Sequence, residues 1–328
     1  MGRRTPLPTE LPTAFSTALA RGHGTSRSRL NGSDLDAPFH GVRIRTEPPA
    51  ESESASDDPY ERQRHGRIAR ARQYAPRLHT GHLFSHETAA AIWGAPLPLF
   101  FDSFGRIAEA KDLELHVCAV GPAPIPRTAG VTRHKTYASL TVPDEHDGLR
   151  VPSPAATWVQ LGHLALKDIV AAGDYFCRRW RPGYGRPNVG TPPLAEIDEL
   201  RTLLEAGRRR GAARLRTALD LIREDSWSPR ESAVRIILVA AGLPEPRLNI
   251  DVFDNEGRFL GCVDMAYPER KVAIEYLGML HGASWAQDVE RIARLRAAGW
   301  NVLEVTSPLL KHPDELVRRV AAALAAFK

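Results

Sequence analysis

The last hundred residues combine apolar positions at helical spacing with short apolar runs that alternate as strands do. Ser228-Pro229-Arg230-Glu231 is typical of a helix start, because Ser suits the N-cap, Pro the first helical position and Glu the third. Three runs after Gly242 predict strands at 248–253, 259–267 and 272–277. A helix at 285–298, a strand at 301–306 and a helix at 313–326 follow. This order predicts an α/β domain with a mixed sheet flanked by helices, over 226–328.

The upstream sequence predicts a different architecture. Residues 1–36 mix Pro, Ser, Thr, Gly and Arg without periodicity, which predicts a disordered tail. Short strand patterns at 40–45, 113–118 and 131–135 alternate with helical patterns at 60–74, 154–164 and 167–179. Ser85 and Gly94 bracket a further helix as its N-cap and its C-terminal stop. The region 37–225 is therefore expected to be an α+β domain.

Composition narrows the classes of protein. The 328 residues are 43% hydrophobic and 25% charged, which excludes a wholly disordered or fibrous chain. No apolar run reaches the roughly 18 residues of a membrane span, and prolines interrupt the basic start before a signal-peptide core forms, so we expect a cytoplasmic protein without a membrane partner. Three separated cysteines without a C-x-x-C pair exclude a disulfide framework and a thiolate zinc site. The sequence contains no phosphate-binding Gly-rich loop, no H-E-x-x-H and no G-x-S-x-G motif, so it gives little support to a small-molecule enzyme.

Positive charge is concentrated upstream of the C-terminal domain. The net charge is +5, yet residues 228–328 carry 13 basic and 13 acidic side chains and are neutral. A strongly basic helical pattern at 201–223, broken or joined at Gly211, holds the arginines that we expect to contact DNA phosphates: Arg208, Arg209, Arg210, Arg214 and Arg216. The alternative is that these arginines form only a solvated helix face.

Two carboxylates on neighbouring predicted strands suggest a metal centre. A four-residue turn at 268–271 pairs Tyr267 with Val272 and, counting back, Asp264 with Glu275 on one face of the sheet. Opposed carboxylates in apolar strands repel each other unless a cation lies between them. Mg²⁺ is a cation that such carboxylates bind. Glu231 is a possible third acid, and its alternative role is to cap the helix on which it lies.

The order of these motifs resembles a known family. A strand-borne Asp followed about ten residues later by a strand-borne Glu is the pattern of the PD-(D/E)xK nuclease superfamily. The string that begins at Ser228 and includes Arg235, Asp264, Glu275-Tyr276-x-Gly278 and Gly299-Trp300 resembles a family related to very-short-patch-repair endonucleases, found in actinobacterial proteins. Upstream, Phe84-Ser85-His86-x-x-Ala89, His134 and Gly173-Asp174 resemble the amino-terminal half of the same proteins, which is similar to type IV abortive-infection antitoxins.

The resemblance implies a restriction-endonuclease-like domain behind a winged-helix-like region. It makes Asp264 and Glu275 the ligands of Mg²⁺, with catalytic roles for Glu231 and for His281 as proton donor or water-positioning base. His281 is alternatively a plain loop residue. Asp288 and Arg291, one helical turn apart, are expected to form a structural ion pair.

One departure from the family pattern leaves two functions open. The family reads Glu-Tyr-Asp-Gly where this chain has Leu277 between Tyr276 and Gly278, and a leucine binds neither metal nor phosphate. The first hypothesis is a DNA-binding protein with a Mg²⁺-dependent endonuclease-like domain that hydrolyses phosphodiesters. The second is a catalytically decayed DNA-binding regulator, antitoxin-like, with a cognate toxin as its partner. A fold persists after catalysis is lost, so the scaffold alone does not separate them.

Overall fold

The computed structural model of the protein describes residues 5–46, 56–184, 186, 188–277 and 282–326, with the backbone alone for 282–286. The α-helices are α1 Thr17–Gly22, α2 Pro59–Tyr74, α3 His86–Ile92, α4 Pro154–Trp158, α5 Leu166–Cys177, α6 Ile197–Glu205, α7 Ala212–Leu221, α8 Pro229–Ala240, α9 Gly282–Ala297, α10 Ser307–Leu310 and α11 Pro313–Ala326. The strands are β1 Ala14–Ser16, β2 Leu35–Asp36, β3 Val42–Arg45, β4 His82–Phe84, β5 Leu115–Val120, β6 Val131–Thr136, β7 Pro143–His146, β8 Leu149–Pro152, β9 Arg247–Phe253, β10 Phe259–Tyr267, β11 Val272–Leu277 and β12 Asn301–Thr306.

Two compact units share the chain, and their limits differ from the expected ones. Unit 1 comprises Met1–His163 and Asp198–Ala212, and unit 2 comprises Leu164–Ile197 and Ala213–Lys328. The boundary expected at 225/226 is therefore corrected. The physical reason is that Asp174 on α5 and Arg235 on α8 form a buried ion pair with an N–O distance of 2.9 Å, which ties α5 to the C-terminal elements.

Unit 1 is built on small sheets. Strands β1, β3 and β2 form one antiparallel sheet, β7 and β8 form a hairpin, and β5 pairs with β4 antiparallel and with β6 parallel. The tail expected at 1–36 is corrected for its described part, because Leu11, Phe15, Ala20 and Leu30 are buried together in a core cluster. Their irregular spacing gives no periodic signal in the sequence.

Unit 2 has the predicted order of helix, three-strand meander, helix, strand and helix. Its four strands are ordered β12-β11-β10-β9, with β12 parallel to β11 and the other pairs antiparallel. Val272 and Ile274 belong to an apolar cluster with α8 and α11, whereas Ala273 belongs to a second cluster with α9. Helices therefore cover both faces of a mixed sheet, and the predicted α/β class is confirmed at that level.

The basic segment, which the sequence left either broken or joined at Gly211, is broken into two helices. Residues between Glu205 and Ala212 form a loop, and Gly211 adopts a left-handed φ of +72° in it. A Cβ at Gly211 would lie 2.0 Å from the carbonyl oxygen of Gly162, so only glycine fits there. Arg208, Arg209 and Arg210 are consequently loop residues of unit 1. Over the described ranges, no helix combines the length and apolarity that crossing a membrane requires.

Candidate functional site

The second hairpin of unit 2 has the register that the sequence predicts. Tyr267 pairs with Val272, Ala266 with Ala273, and Met265 with Ile274. Asp264 and Glu275 are the next positions along the two strands. The ladder opens there, because Oδ2 of Asp264 accepts a hydrogen bond from the backbone N–H of Tyr276 at 2.8 Å. Both acids therefore stand where the two strands begin to separate.

Arg291 provides the positive charge closest to Glu275. Its Nη1 donates to Oε1 of Glu275 at 2.5 Å and to the carbonyl oxygen of Cys262 at 2.9 Å. Its Nη2 donates to Oδ1 of Asp288 at 2.9 Å. The expected Asp288–Arg291 ion pair is thus confirmed, and its arginine also reaches the buried acid on β11. Since Arg291 lies on α9, Glu275 faces the α9 side of the sheet.

Glu231 joins the group from α8. Ser228 caps this helix as predicted, accepting a hydrogen bond from the backbone N–H of Glu231 at 3.1 Å. The buried Glu231 carboxylate accepts instead from the N–H of Trp227 at 3.0 Å and from the Asn249 side chain at 2.7 Å. Asn249 lies on β9, between the positions that pair with Val263 and Met265 of β10. Glu231 therefore reaches toward Asp264, beyond its capping role.

The charge of Asp264 acts on the two other carboxylates. Burial, reinforced by the charge of Asp264, raises the pKa of Glu231 to about 7 and that of Glu275 to about 8. Burial also raises the pKa of Asp264, although the hydrogen bond from Tyr276 opposes this. Oδ1 of Asp264 and Oε2 of Glu275 accept no hydrogen bond from the described residues. Hard oxygen donors with spare lone pairs and unbalanced negative charge fit a Mg²⁺-class cation.

The other predicted site residues have different surroundings. Leu277 packs against the apolar cluster on the α9 side of the sheet. His281 lies outside the described residues. Arg208, Arg210 and Arg216 are exposed. Arg209, by contrast, uses Nη2 to donate to the carbonyl oxygens of Leu140 and Leu203, both at 2.8 Å.

Arg214 is also engaged, through a 2.8 Å hydrogen bond from its Nη1 to the carbonyl oxygen of Leu164. Arg209 and Arg214 thus hold backbone in place. Of the five arginines predicted to contact DNA, Arg214 is exposed but engaged, and Arg208, Arg210 and Arg216 are best placed to meet phosphates.

A second polar site, in unit 1, was missed by the sequence reasoning. A cleft of about 480 Å³ there is lined by side chains that include His86, His116, His134, His163 and Glu87. His86 has a left-handed φ of +49°, and its backbone N–H donates to the side-chain oxygen of Gln160 at 2.9 Å. Burial lowers the pKa of His116, and it lowers that of His134 to about 4. Burial likewise lowers the pKa of His86, so burial favours the neutral form of all three imidazoles.

Glu87 contacts two of the histidines that line this cleft. Its Oε1 lies 2.8 Å from Nε2 of His163, and its Oε2 lies 3.4 Å from Nε2 of His116. Although burial raises the pKa of Glu87, the contacts with His163 and His116 together lower it. The hydrogen bond with Glu87 in turn raises the pKa of His163. No sequence motif signals this site, because its histidines are 18 and 30 residues apart and the parallel pairing of β5 with β6 brings them together.

Comparison with known proteins gives a partial match. No protein-family model matches the chain, and no solved structure matches it. Over 120 residues the chain is 30% identical to two Mycobacterium tuberculosis proteins, Uncharacterized protein MT2308 of strain CDC 1551 / Oshkosh and Uncharacterized protein Rv2248 of strain ATCC 25618 / H37Rv. The match covers 35% of this chain and 44% of each relative. The chain thus spans less than half the length of the curated relatives that it matches.

Proposed function

We propose that the protein binds DNA and that unit 2 carries a Mg²⁺-dependent endonuclease-like centre formed by Asp264, Glu275 and Glu231. The observation that carries the proposal is the set of three largely buried carboxylates on α8, β10 and β11, in which the charge of Asp264 raises the pKa of both Glu231 and Glu275. A purely structural cluster would be expected to pair each acid with a cation, whereas within the described residues the one ion pair of these three acids joins Arg291 to Glu275.

The arrangement of elements around the acids supports a restriction-endonuclease-like domain. In that family pattern the Asp and the Glu lie on adjacent antiparallel strands, and a helix precedes the meander. Unit 2 has this order, with Asp264 on β10, Glu275 on β11 and α8 before them. The winged-helix-like and antitoxin-like character of unit 1 stays part of the proposal, resting on the sequence resemblance.

Each residue has a task in phosphodiester hydrolysis. A bound Mg²⁺ would neutralise charge on the scissile phosphate and activate a water. Asp264 and Glu275 would hold that ion, and each has one carboxylate oxygen, Oδ1 and Oε2 respectively, that the described hydrogen bonds do not use. Arg291 keeps the Glu275 carboxylate oriented through Oε1. Glu231 adds a third acid from α8, and His281 is retained as the proton donor or water-positioning base that the resemblance implies.

A specific observation favours the alternative of a decayed, regulatory protein. Leu277 stands where the family places an Asp, and its side chain packs with apolar residues on the α9 side of the sheet. Arg291 also supplies Glu275 with a positive charge without any metal. In this alternative, unit 2 retains a nuclease scaffold without cutting, and the chain acts as a DNA-binding, antitoxin-like regulator.

Nicking of supercoiled plasmid tests the proposal. We expect the purified protein to convert supercoiled DNA to open circles with Mg²⁺ and not with EDTA, because hydrolysis needs the cation. Glu275→Gln should abolish nicking, since it removes a charged oxygen donor. Glu304→Gln is the matched control, because Glu304 is the β12 neighbour of Glu275 and pairs with Arg296 near the surface. Absence of nicking by the wild type with Mg²⁺ and Mn²⁺ would favour the decayed regulator.

The exposed arginines allow a test of DNA binding that does not depend on cleavage. Replacing Arg208, Arg210 and Arg216 by Gln should flatten the dependence of log K on log salt, by about 0.9 for each phosphate that is no longer neutralised. Arg209→Gln is the matched control: its guanidinium is engaged with backbone carbonyls, so the slope should be unchanged. Fluorescence anisotropy with a labelled duplex at several salt concentrations measures the slope. An unchanged slope in the triple variant would mean that these arginines only face solvent.

A further inference from the structure

Three histidines of unit 1 converge from separate elements. His86 begins α3, His116 lies on β5 and His134 on β6. The parallel register pairs Cys118 with His134, and His116 is two positions before Cys118, so His116 and His134 share one face of the sheet. Within the described part of the chain, these three form the one group of His, Cys, Asp or Glu residues whose ligand atoms all lie within 4.8 Å of each other.

The spacing of the nitrogen atoms approaches that of metal ligands. Nδ1 of His116 lies 3.0 Å from Nε2 of His134. In a tetrahedral site with metal–nitrogen bonds of 2.0–2.1 Å, donor atoms are about 3.3 Å apart. The His86 ring stacks on the His134 ring with centroids 3.6 Å apart. One ligand nitrogen of His86 nevertheless lies within 4.8 Å of those of His116 and His134.

Two carboxylates beside His116 can accept the hydrogen bond that a metal-bound imidazole donates from its other nitrogen. If Nδ1 of His116 binds an ion, its Nε2–H faces carboxylate oxygens of Glu87 and Glu114, both at 3.4 Å. Oε2 of Glu87 is buried and accepts no well-aligned hydrogen bond from the described residues. A carboxylate that accepts the outer N–H of a metal-bound histidine fixes the tautomer and the ring orientation. This buried oxygen is therefore available to accept the outer N–H of a metal-bound His116.

We infer that His86, His116 and His134 bind one divalent cation of the zinc class, with Glu87 as the outer-shell acceptor. Neutral imidazole suits Zn²⁺, Co²⁺ and Ni²⁺, whereas Mg²⁺ takes oxygen donors. The site is thus chemically different from the carboxylate cluster of unit 2 and does not depend on the function proposed for it. Three protein ligands leave a fourth position, which opens on the cleft that Arg208 and Arg210 also line. Water or an anionic ligand is the expected occupant of that position.

Metal titration of the full-length, chelator-treated protein tests this inference. Calorimetry with Zn²⁺ should show one tight site, and Co²⁺ should give the visible absorption of a nitrogen-coordinated tetrahedral ion. Glu87→Gln should weaken Zn²⁺ binding about 10–100-fold, and His134→Gln should weaken it further. His65→Gln is the matched control, because His65 is an exposed histidine of α2 in the same unit, and it should leave the affinity unchanged.

Three results would contradict the inference. The first is that the wild type does not bind Zn²⁺, and the second is that His86→Gln and His134→Gln both bind it with wild-type affinity. The third is that Glu275→Gln loses the tight site, which would assign the ion to unit 2. Circular dichroism of each variant checks that it is folded. His86 and His134 are only half-buried and His116 is buried, so the first two are the substitutions of choice. If the wild type binds Zn²⁺ but does not nick plasmid, the result counts against the proposed nuclease centre and not against the histidine site.

Discussion

Replacing Arg235 by leucine is expected to lower the free energy of unfolding of unit 2 by about 3–5 kcal/mol. The Arg235 side chain is 0% exposed and donates from Nη2 to Oδ2 of Asp174, which is itself 2% exposed. Asp174 also accepts hydrogen bonds from the N–H of Arg223 and from the Ser232 hydroxyl, both at 2.7 Å. Without the guanidinium, a buried carboxylate keeps its neutral donors but loses its counter-charge, and such a charge is costly to bury.

Urea denaturation followed by circular dichroism measures this effect. Arg318→Leu is the matched control, because Arg318 forms an exposed pair with Glu315 on α11 and should change stability by less than about 1 kcal/mol. The double variant Asp174→Leu/Arg235→Leu should recover much of the loss, since it leaves no unpaired buried charge. A destabilisation below about 1 kcal/mol in Arg235→Leu would contradict the role assigned to the pair.

This ion pair also explains part of the sequence pattern. Ser232 and Arg235 belong to the motif that begins at Ser228, and Asp174 belongs to the upstream pattern Gly173-Asp174. All three meet in one buried network between α5 and α8. Because α8 also carries Glu231, the network fixes the helix from which an acid reaches the carboxylate cluster. Its residues are therefore positioning residues for the candidate centre.

Local patterns in the sequence predicted unit 2 well, because its signals are short-range. The Ser228 cap and the four-residue turn at 268–271 each depend on neighbouring residues, and Lys271 adopts the left-handed φ of +46° that closes the turn. That turn determines the register, which makes Asp264 and Glu275 the next positions beyond the pair of Met265 with Ile274. The bond from Arg291 to Glu275 was not foreseen, since it joins α9 to β11 across 16 residues.

Long-range pairing explains what the sequence did not predict. The division into units depends on Asp174 and Arg235, which are 61 residues apart. The histidine cluster depends on β5 and β6 being parallel, which alternation of apolar residues cannot specify. Parallel neighbours need a connection that crosses over, so histidines at unrelated spacings become neighbours only in the folded unit.

Leu277→Asp is expected to raise Mg²⁺-dependent nicking at least about 10-fold over the wild type, equivalent to about 1.4 kcal/mol of transition-state stabilisation. Residues two apart on a strand share a face, so position 277 lies on the side of Glu275. A carboxylate there adds a hard oxygen donor and a negative charge to Asp264 and Glu275. Without metal, the same change replaces an apolar side chain of the α9-side cluster by a charge, which should lower stability.

Two variants separate ligand chemistry from a change of shape. Leu277→Asn has nearly the size of the Asp variant without its charge, so it should disturb the packing equally and increase nicking much less. Leu277→Asp/Glu275→Gln should not nick, because the new oxygen is then left without its strand partner. If folded Leu277→Asp nicks no faster than the wild type, position 277 is not the vacant ligand position. Mg²⁺-dependent nicking by the wild type that Leu277→Asp leaves unchanged would mean that the centre is active and that Leu277 is tolerated in it.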